Sequence, residues 1–173
     1  MKYDVYTTNA DNTCRFTLGK QGVRTLLVIG LNPSVATNEK ADTTITKVGK
    51  VAEQNGYDGF VMLNLYPVRS TDYRLLPQLV DRHAYKENIN AIGQIVKAQT
   101  LPAIWAAWGQ GITNKSYFAR SCSELVADLA QHHVKWLQFG QLTAEGHPRH
   151  PSRIHYNWEF QPFNAAKYVA ELS

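Results

Sequence analysis

The stretch Leu26-Leu27-Val28-Ile29-Gly30-Leu31-Asn32-Pro33-Ser34 decides how the chain is read. Leu26 to Ile29 run without a polar interruption and end at Gly30. A short apolar run without alternation is the pattern of a parallel strand buried on both faces. Gly30 permits a sharp exit and close backbone approach. Pro33 fixes its own φ and biases Asn32 toward extended geometry. Ligands of open α/β sheets bind in the crevice beyond the carboxyl ends of the strands. Asn32 therefore stands where a rigidly held amide becomes a recognition or reactive group. The same peptide also reads as a strand-to-loop turn that needs Gly and Pro for shape alone.

Outward from this strand, the flanking segments repeat its logic. Residues 2–8 and 13–18 read as two strands around the turn-rich Asn9-Ala10-Asp11-Asn12, which predicts an N-terminal β-hairpin. After the Asn32 loop, Asp42-Thr43-Thr44 offers cap residues. Ile45, Val48, Val51 and Ala52 then follow at helical spacing, and Gly56 closes a helix over 43–55. Phe60 to Leu65 is a second apolar strand with Asn64 near its carboxyl end, and Pro67 forbids its continuation. Residues 66–82 read as loop with a short helix. Tyr85, Ile89, Ile92 and Val96 mark one helical face. Ala103 to Trp108 and Val134 to Phe139 are further strands, with a helix through Phe118, Cys122, Leu125 and Leu129 between them. Gly140 to Pro151 is irregular, and Ala165 to Leu172 is a terminal helix. The alternation predicts a three-layer α/β/α domain: a central, mainly parallel four-stranded sheet plus the hairpin.

Composition bounds the function classes. At 173 residues, 44% hydrophobic and 18% charged, the chain reads as one globular domain over 1–173 with a proper core. No run approaches a membrane span, and the N-terminus lacks the apolar core of a signal peptide, so the expected location is cytoplasmic, away from membranes. Cys14 and Cys122 stand in no motif and read as reduced, partly buried thiols. No metal and no cofactor is expected. The net charge of +4 permits a polyanion partner without demanding one.

Four groups of residues converge on the carboxyl edge of the predicted sheet. The first is Gly30 to Ser34. The second is Asn64, a lone polar side chain ending an apolar strand, which either ties down loop backbone or faces a pocket. The third is Trp108-Gly109, an aromatic and a turn. The fourth is Gly146-His147-Pro148-Arg149-His150-Pro151-Ser152-Arg153, which packs two His, two Arg and two Pro into one loop. Histidine supplies hydrogen bonds or charge there, and arginine pairs with phosphate.

Taken together and in this order, these stretches resemble the uracil-DNA glycosylase superfamily. The carriers are Gly30-Leu31-Asn32-Pro33, Met62-Leu63-Asn64, Ala107-Trp108-Gly109 and His150-Pro151-Ser152. Asn32 in the first motif is similar to the mismatch-specific uracil/thymine branch. The entire chain also resembles a family of small, poorly characterised bacterial and phage-associated proteins. That likeness rests on Asn32-Pro33-Ser34, Asp42 to Thr44, Asn64 to Arg69, and Gly146 to Pro151.

The resemblance implies a monofunctional DNA N-glycosylase that excises uracil or a modified pyrimidine, in repair or anti-phage defence. Its partner is DNA, through a flipped nucleotide, with no obligatory protein partner. Asn32 would position the attacking water, and His150 would donate to the departing base, with Asp42 as a supplementary carboxylate or, on its own sequence, a helix N-cap. Asn64 would read the base edge, with His147 second to His150 and Tyr66 or Tyr117 as the stacking aromatic. Ser34, Arg69, Arg149, Ser152 and Arg153 would bind DNA phosphates, and Ile154 would wedge into the duplex. The competing readings are a non-catalytic DNA-binding protein of the same fold and an enzyme cleaving a nucleoside or nucleotide glycosidic bond.

Overall fold

The computed structural model describes residues 3–172. Strand β3 (Thr25–Gly30) and strand β4 (Gly59–Asn64) are buried along their whole length. That is what their uninterrupted apolar runs require. Leu27, Ile29, Val61 and Leu63 point to one side of the sheet; Leu26, Val28, Phe60 and Met62 point to the other. Helices α2 (Arg82–Lys97), α3 (Ser116–Leu129) and α4 (Ala165–Glu171) cover the first side through Ile92, Val96, Phe118, Leu125 and Tyr168. Helix α1 (Thr43–Gln54) covers the second through Ile45, Val48 and Val51. The α/β class and its layering follow from this two-sided burial.

With β1 (Val5–Thr8), β2 (Arg15–Lys20), β5 (Ala103–Ala106), β6 (Lys135–Phe139) and β7 (Phe160–Pro162), the sheet order is β1-β2-β4-β3-β5-β6-β7. The central run β4-β3-β5-β6 is parallel. From β3 the chain crosses through α1 to β4, then returns past β3 through α2 to β5. Right-handed crossovers in opposite directions put α1 and α2 on opposite faces. The direction of connection reverses between β3 and β5, and their carboxyl ends flank the crevice where such sheets bind ligands.

The expectation of a central, mainly parallel four-stranded sheet plus an N-terminal hairpin is corrected in extent: those four parallel strands are the middle of a seven-stranded mixed sheet. The hairpin is part of it, because β2 pairs antiparallel with the edge of β4, Leu18 beside Met62. At the other edge, β7 pairs antiparallel with β6. The ladder of the hairpin contains a register shift: Thr7 faces Thr17, whereas Thr8 faces Arg15, so Phe16 is bulged out. A bulge re-aims the side chains that follow it. Phe16 joins Cys14 and Ala84 on the α2 side, and Arg15 turns to the α1 side, where its Nη1 donates to the carbonyl of Ala36 at 3.1 Å.

Helix α1 starts where the cap residues predict. Asp42 is its N-cap, and its Oδ1 accepts from the Ile45 amide at 2.9 Å. Helix α2 begins earlier than the Tyr85 face implies, because Asp81 caps it by accepting from His83 and Ala84. Among the described residues no helix is long and apolar enough to cross a membrane.

Candidate functional site

Strands β3 and β4 end in register, with Gly30 beside Asn64. Asn64 is 1% exposed, and neither its Nδ2 nor its Oδ1 has a partner among the described residues. Leaving a buried polar group unpaired costs about 1–3 kcal/mol. A Cβ at position 30 would stand 3.1 Å from the Asn64 Oδ1 and 2.5 Å from the Met62 Cε. Glycine at 30 is what makes room for that amide. The backbone carbonyl of Asn64 is satisfied, accepting from Asn88 Nδ2 of α2 at 2.8 Å. The orphaned part of Asn64 is therefore its side chain alone.

Asn32 is anchored through its nitrogen. Its Nδ2 donates to the carbonyls of Pro33 (3.1 Å), Ser70 (3.0 Å) and Val68 (3.4 Å). Three carbonyl acceptors fix which end of the amide carries the protons. None of these bonds uses Oδ1, which is left as an acceptor in a fixed direction.

His150 comes from the Gly146–Arg153 loop and lies against Gly109, beyond the end of β5. Gly109 has φ +71, and a Cβ there would come within 3.0 Å of the His150 Cβ. The His150 Nδ1 accepts from the Ser152 amide at 3.2 Å and lies 2.8 Å from the Ser152 Oγ. A ring that accepts through Nδ1 carries its proton on Nε2 when neutral. Burial pushes its pKa down to about 4; the Asp42 carboxylate opposes this, and the Arg153 and Lys47 cations add to it. At neutral pH His150 is thus an uncharged ring with an Nε2–H donor. Asp42, besides capping α1, acts electrostatically on His150, Arg15 and Tyr3.

Residues 15–152 match the model of a family described as a protein of unknown function, DUF1643. The chain belongs to that family. No curated protein and no solved structure matches it. The stretch matched to DUF1643 opens at Arg15 in β2 and closes at Ser152 beside His150, so Asn32, Asp42, Asn64 and His150 all fall inside it.

Apart from Arg153, the other residues expected at the site of this DUF1643 chain are each held by the fold. Tyr66 is 1% exposed and stacks on Tyr117, ring centroids 4.4 Å apart, within the α2–α4 layer. The chain turns after Asn64 and carries Tyr66 to the opposite face. Its hydroxyl accepts from the Asp81 amide at 2.9 Å. Neither tyrosine is free to stack on a ligand. His147 also belongs to that layer: Trp108 Nε1 donates to the Tyr168 hydroxyl at 3.1 Å, which meets the His147 Nδ1 at 2.9 Å. Burial lowers the pKa of His147 too.

Ile154 is 6% exposed and packs into the core beside α1, so it is corrected from wedge to core residue. Arg149 spends its guanidinium on the carbonyls of Gln141 and Leu142 and lies over the Trp158 ring. Arg69 clips loops together, its Nη1 donating to the carbonyls of Ser34 and Ala36 and its Nη2 to Tyr6 Oη and Asn12 Oδ1. Ser34 takes part through that carbonyl. Ser152 holds His150, and its own carbonyl accepts from Lys47 Nζ at 3.1 Å. Arg153 is exposed.

Sequence reasoning missed Arg15, which is 2% exposed on the α1 side. Its direction depends on the Phe16 bulge, and a bulge leaves no mark in hydrophobic periodicity. Two grooves, one of about 920 Å³ along α1 and β4 and one of about 440 Å³ between α2 and α3, contain none of Asn32, Asn64 and His150.

Proposed function

We propose that the chain is a DNA glycosylase that hydrolyses the N-glycosidic bond of uracil or a modified pyrimidine. The observation that carries the reading is Asn64: a sealed amide with both polar atoms unpartnered, at the carboxyl end of the parallel run of a mixed sheet. An amide presents one donor and one acceptor side by side, which complements the O4/N3 edge of a pyrimidine. His150, held by Ser152, supplies a neutral Nε2–H donor of the kind that stabilises charge developing on a leaving base. Asn32, held by its nitrogen, offers Oδ1 to orient a water.

The reaction balances without a further reactant. Water oxygen bonds to the sugar C1′ as the C1′–N1 bond breaks, and the bond pair leaves with the base. The proton from the attacking water passes to solvent, and the base takes one from solvent. A neutral amide is too weak a base to take that proton. The barrier is lowered by leaving-group stabilisation and water placement, with the Asp42 charge favouring positive charge on the sugar. Because Asn64 is closed off, the surrounding loops must part for a base to enter.

That closure, with Ile154 in the core, favours a second reading in which the same bond is cleaved in a free nucleotide. A base-release panel separates the two. Uracil, mismatched thymine and modified pyrimidines are offered in duplex DNA, in single strands and as free nucleotides, with Asn64→Ala and His150→Ala as controls. Abasic sites from DNA support the first reading, and release from nucleotides alone supports the second. DNA binding without release from either makes the chain a non-catalytic binder.

A further inference from the structure

Two arginines meet on one backbone oxygen. Arg15 Nη1 and Arg69 Nη1 both donate to the Ala36 carbonyl, each at 3.1 Å. Like charges side by side normally draw a carboxylate between them. Here the ion pairs among the described residues are Arg74–Asp72, His83–Glu87 and Lys167–Glu171, and none involves either arginine. Asp42 acts on Arg15 only from beyond ion-pair distance and is occupied capping α1. A buried cation without a counter-ion is costly, and removing it from water is repaid only by a close anion.

The donors that remain have a definite shape. Arg15 is 2% exposed, and its Nε is sealed without a partner. No hydrogen bond among the described residues uses its Nη2. Nε–H and Nη2–H lie along one edge of a guanidinium, the edge that grips two oxygens of a phosphate or carboxylate in parallel. Arg69 Nε is likewise sealed and unpartnered. Arg15 is brought to this place by the Phe16 bulge, on the side of the sheet that carries Asn64. The repulsion of Arg69, after burial itself, pushes the Arg15 pKa down to about 10, which still leaves it charged at neutral pH.

We infer that Arg15 and Arg69 form a phosphate-binding site, which takes the phosphate of the nucleotide whose base is read by Asn64. The base half of this statement rests on the glycosylase reading; the anion half does not. The phosphate is either the terminal group of a free nucleotide or a backbone diester of DNA, and both present the same oxygens to the arginine fork.

The test follows the Arg15 and Arg69 Nε–H resonances of the full chain by NMR. The probes are inorganic phosphate, a nucleoside 5′-monophosphate, the matching nucleoside and a short oligonucleotide, at constant ionic strength set by chloride. Phosphate and the monophosphate should shift both resonances saturably, and the nucleoside should not. Tighter binding of the oligonucleotide than of the monophosphate identifies a backbone diester; the reverse identifies a terminal phosphate. Arg15→Lys keeps the charge and loses the fork, and should weaken phosphate binding roughly 10- to 100-fold. Absence of a saturable shift overturns the proposal, as does equal phosphate affinity in wild type and Arg15→Lys. Because the wild-type titration needs no variant, a misfolded Arg15→Lys leaves the answer intact. Phosphate binding without base release anywhere in the panel keeps the anion site and removes the glycosylase reading. Base release without phosphate binding does the opposite.

Discussion

Replacing Asn64 by Leu separates an amide kept for a ligand from one kept for the fold. Leu has the same branched arrangement of side-chain heavy atoms, so it fills the space beside Gly30 and Met62 with nothing left to hydrogen-bond. Both polar atoms of Asn64 are sealed and unpartnered, which sets the gain at about 1–3 kcal/mol if repacking is free. The larger methyl groups meet the Met62 side and return part of this, since overpacking a core also costs stability. The net expectation is a variant about 1 kcal/mol more stable than wild type. For a chain of this size that is a rise in melting temperature of about 2–4 °C. Urea unfolding followed by circular dichroism gives the free energy, and a thermal scan gives the temperature. The same variant should lose base release entirely. A variant less stable than wild type by 1 kcal/mol or more would refute the reasoning, because the amide would then have a structural partner such as a buried water. Such a result would remove the observation on which the proposed function stands.

Other expectations can be checked alongside. Ile154→Ala should cost about 2–4 kcal/mol of stability, measured by urea unfolding, with no selective loss of DNA affinity, because the side chain is core and not wedge. Gly109→Ala places a Cβ at positive φ and against His150, so it should destabilise by about 1–3 kcal/mol and depress activity through displacement of the ring. Asp42→Asn should leave stability within about 0.5 kcal/mol and Asp42→Ala should cost about 1 kcal/mol, since only the first retains an N-cap; both should lower the His150 pKa further, read by NMR titration. His150 is held neutral in the fold, with a pKa of about 4 against an ordinary 6.5, so the unfolded chain binds the extra proton between these values. Stability therefore falls as pH drops from about 6.5 towards about 4, and His150→Gln should flatten that segment of the curve.

Strands β3 and β4 were legible because burial on both faces writes an unbroken apolar run. Helix α1 was legible because Asp42 and Gly56 mark its ends chemically. Strand β7 was not, since Phe160–Pro162 is too short for alternation to register and ends on a proline. The attachment of the hairpin to β4 was hidden for a different reason: pairing partners far apart in sequence leave no local signal. Asn32, Asn64 and His150 could be picked out as candidates because Asn64 is the polar last residue of an apolar strand, Asn32 follows a strand end and His150 sits in a loop with an unusual composition. The packing of Tyr66 on Tyr117 and of His147 on Tyr168 was not legible, because the chain turns beyond a strand end and the alternation that assigns faces stops there. The two histidines of the Gly146–Pro151 loop stand close in sequence, yet one is bound to Tyr168 and the other to Ser152. Arg15 was invisible because a single bulged residue decides which way it points.

The measurement that bears most directly on the central claim is base release from duplex and single-stranded DNA carrying uracil or modified pyrimidines, scored as alkali-labile abasic sites. Release from at least one such substrate is expected of the wild-type chain, with its loss in both Asn64→Leu and His150→Ala while the two variants remain folded. No release from any substrate, or release that survives in Asn64→Leu, would contradict it.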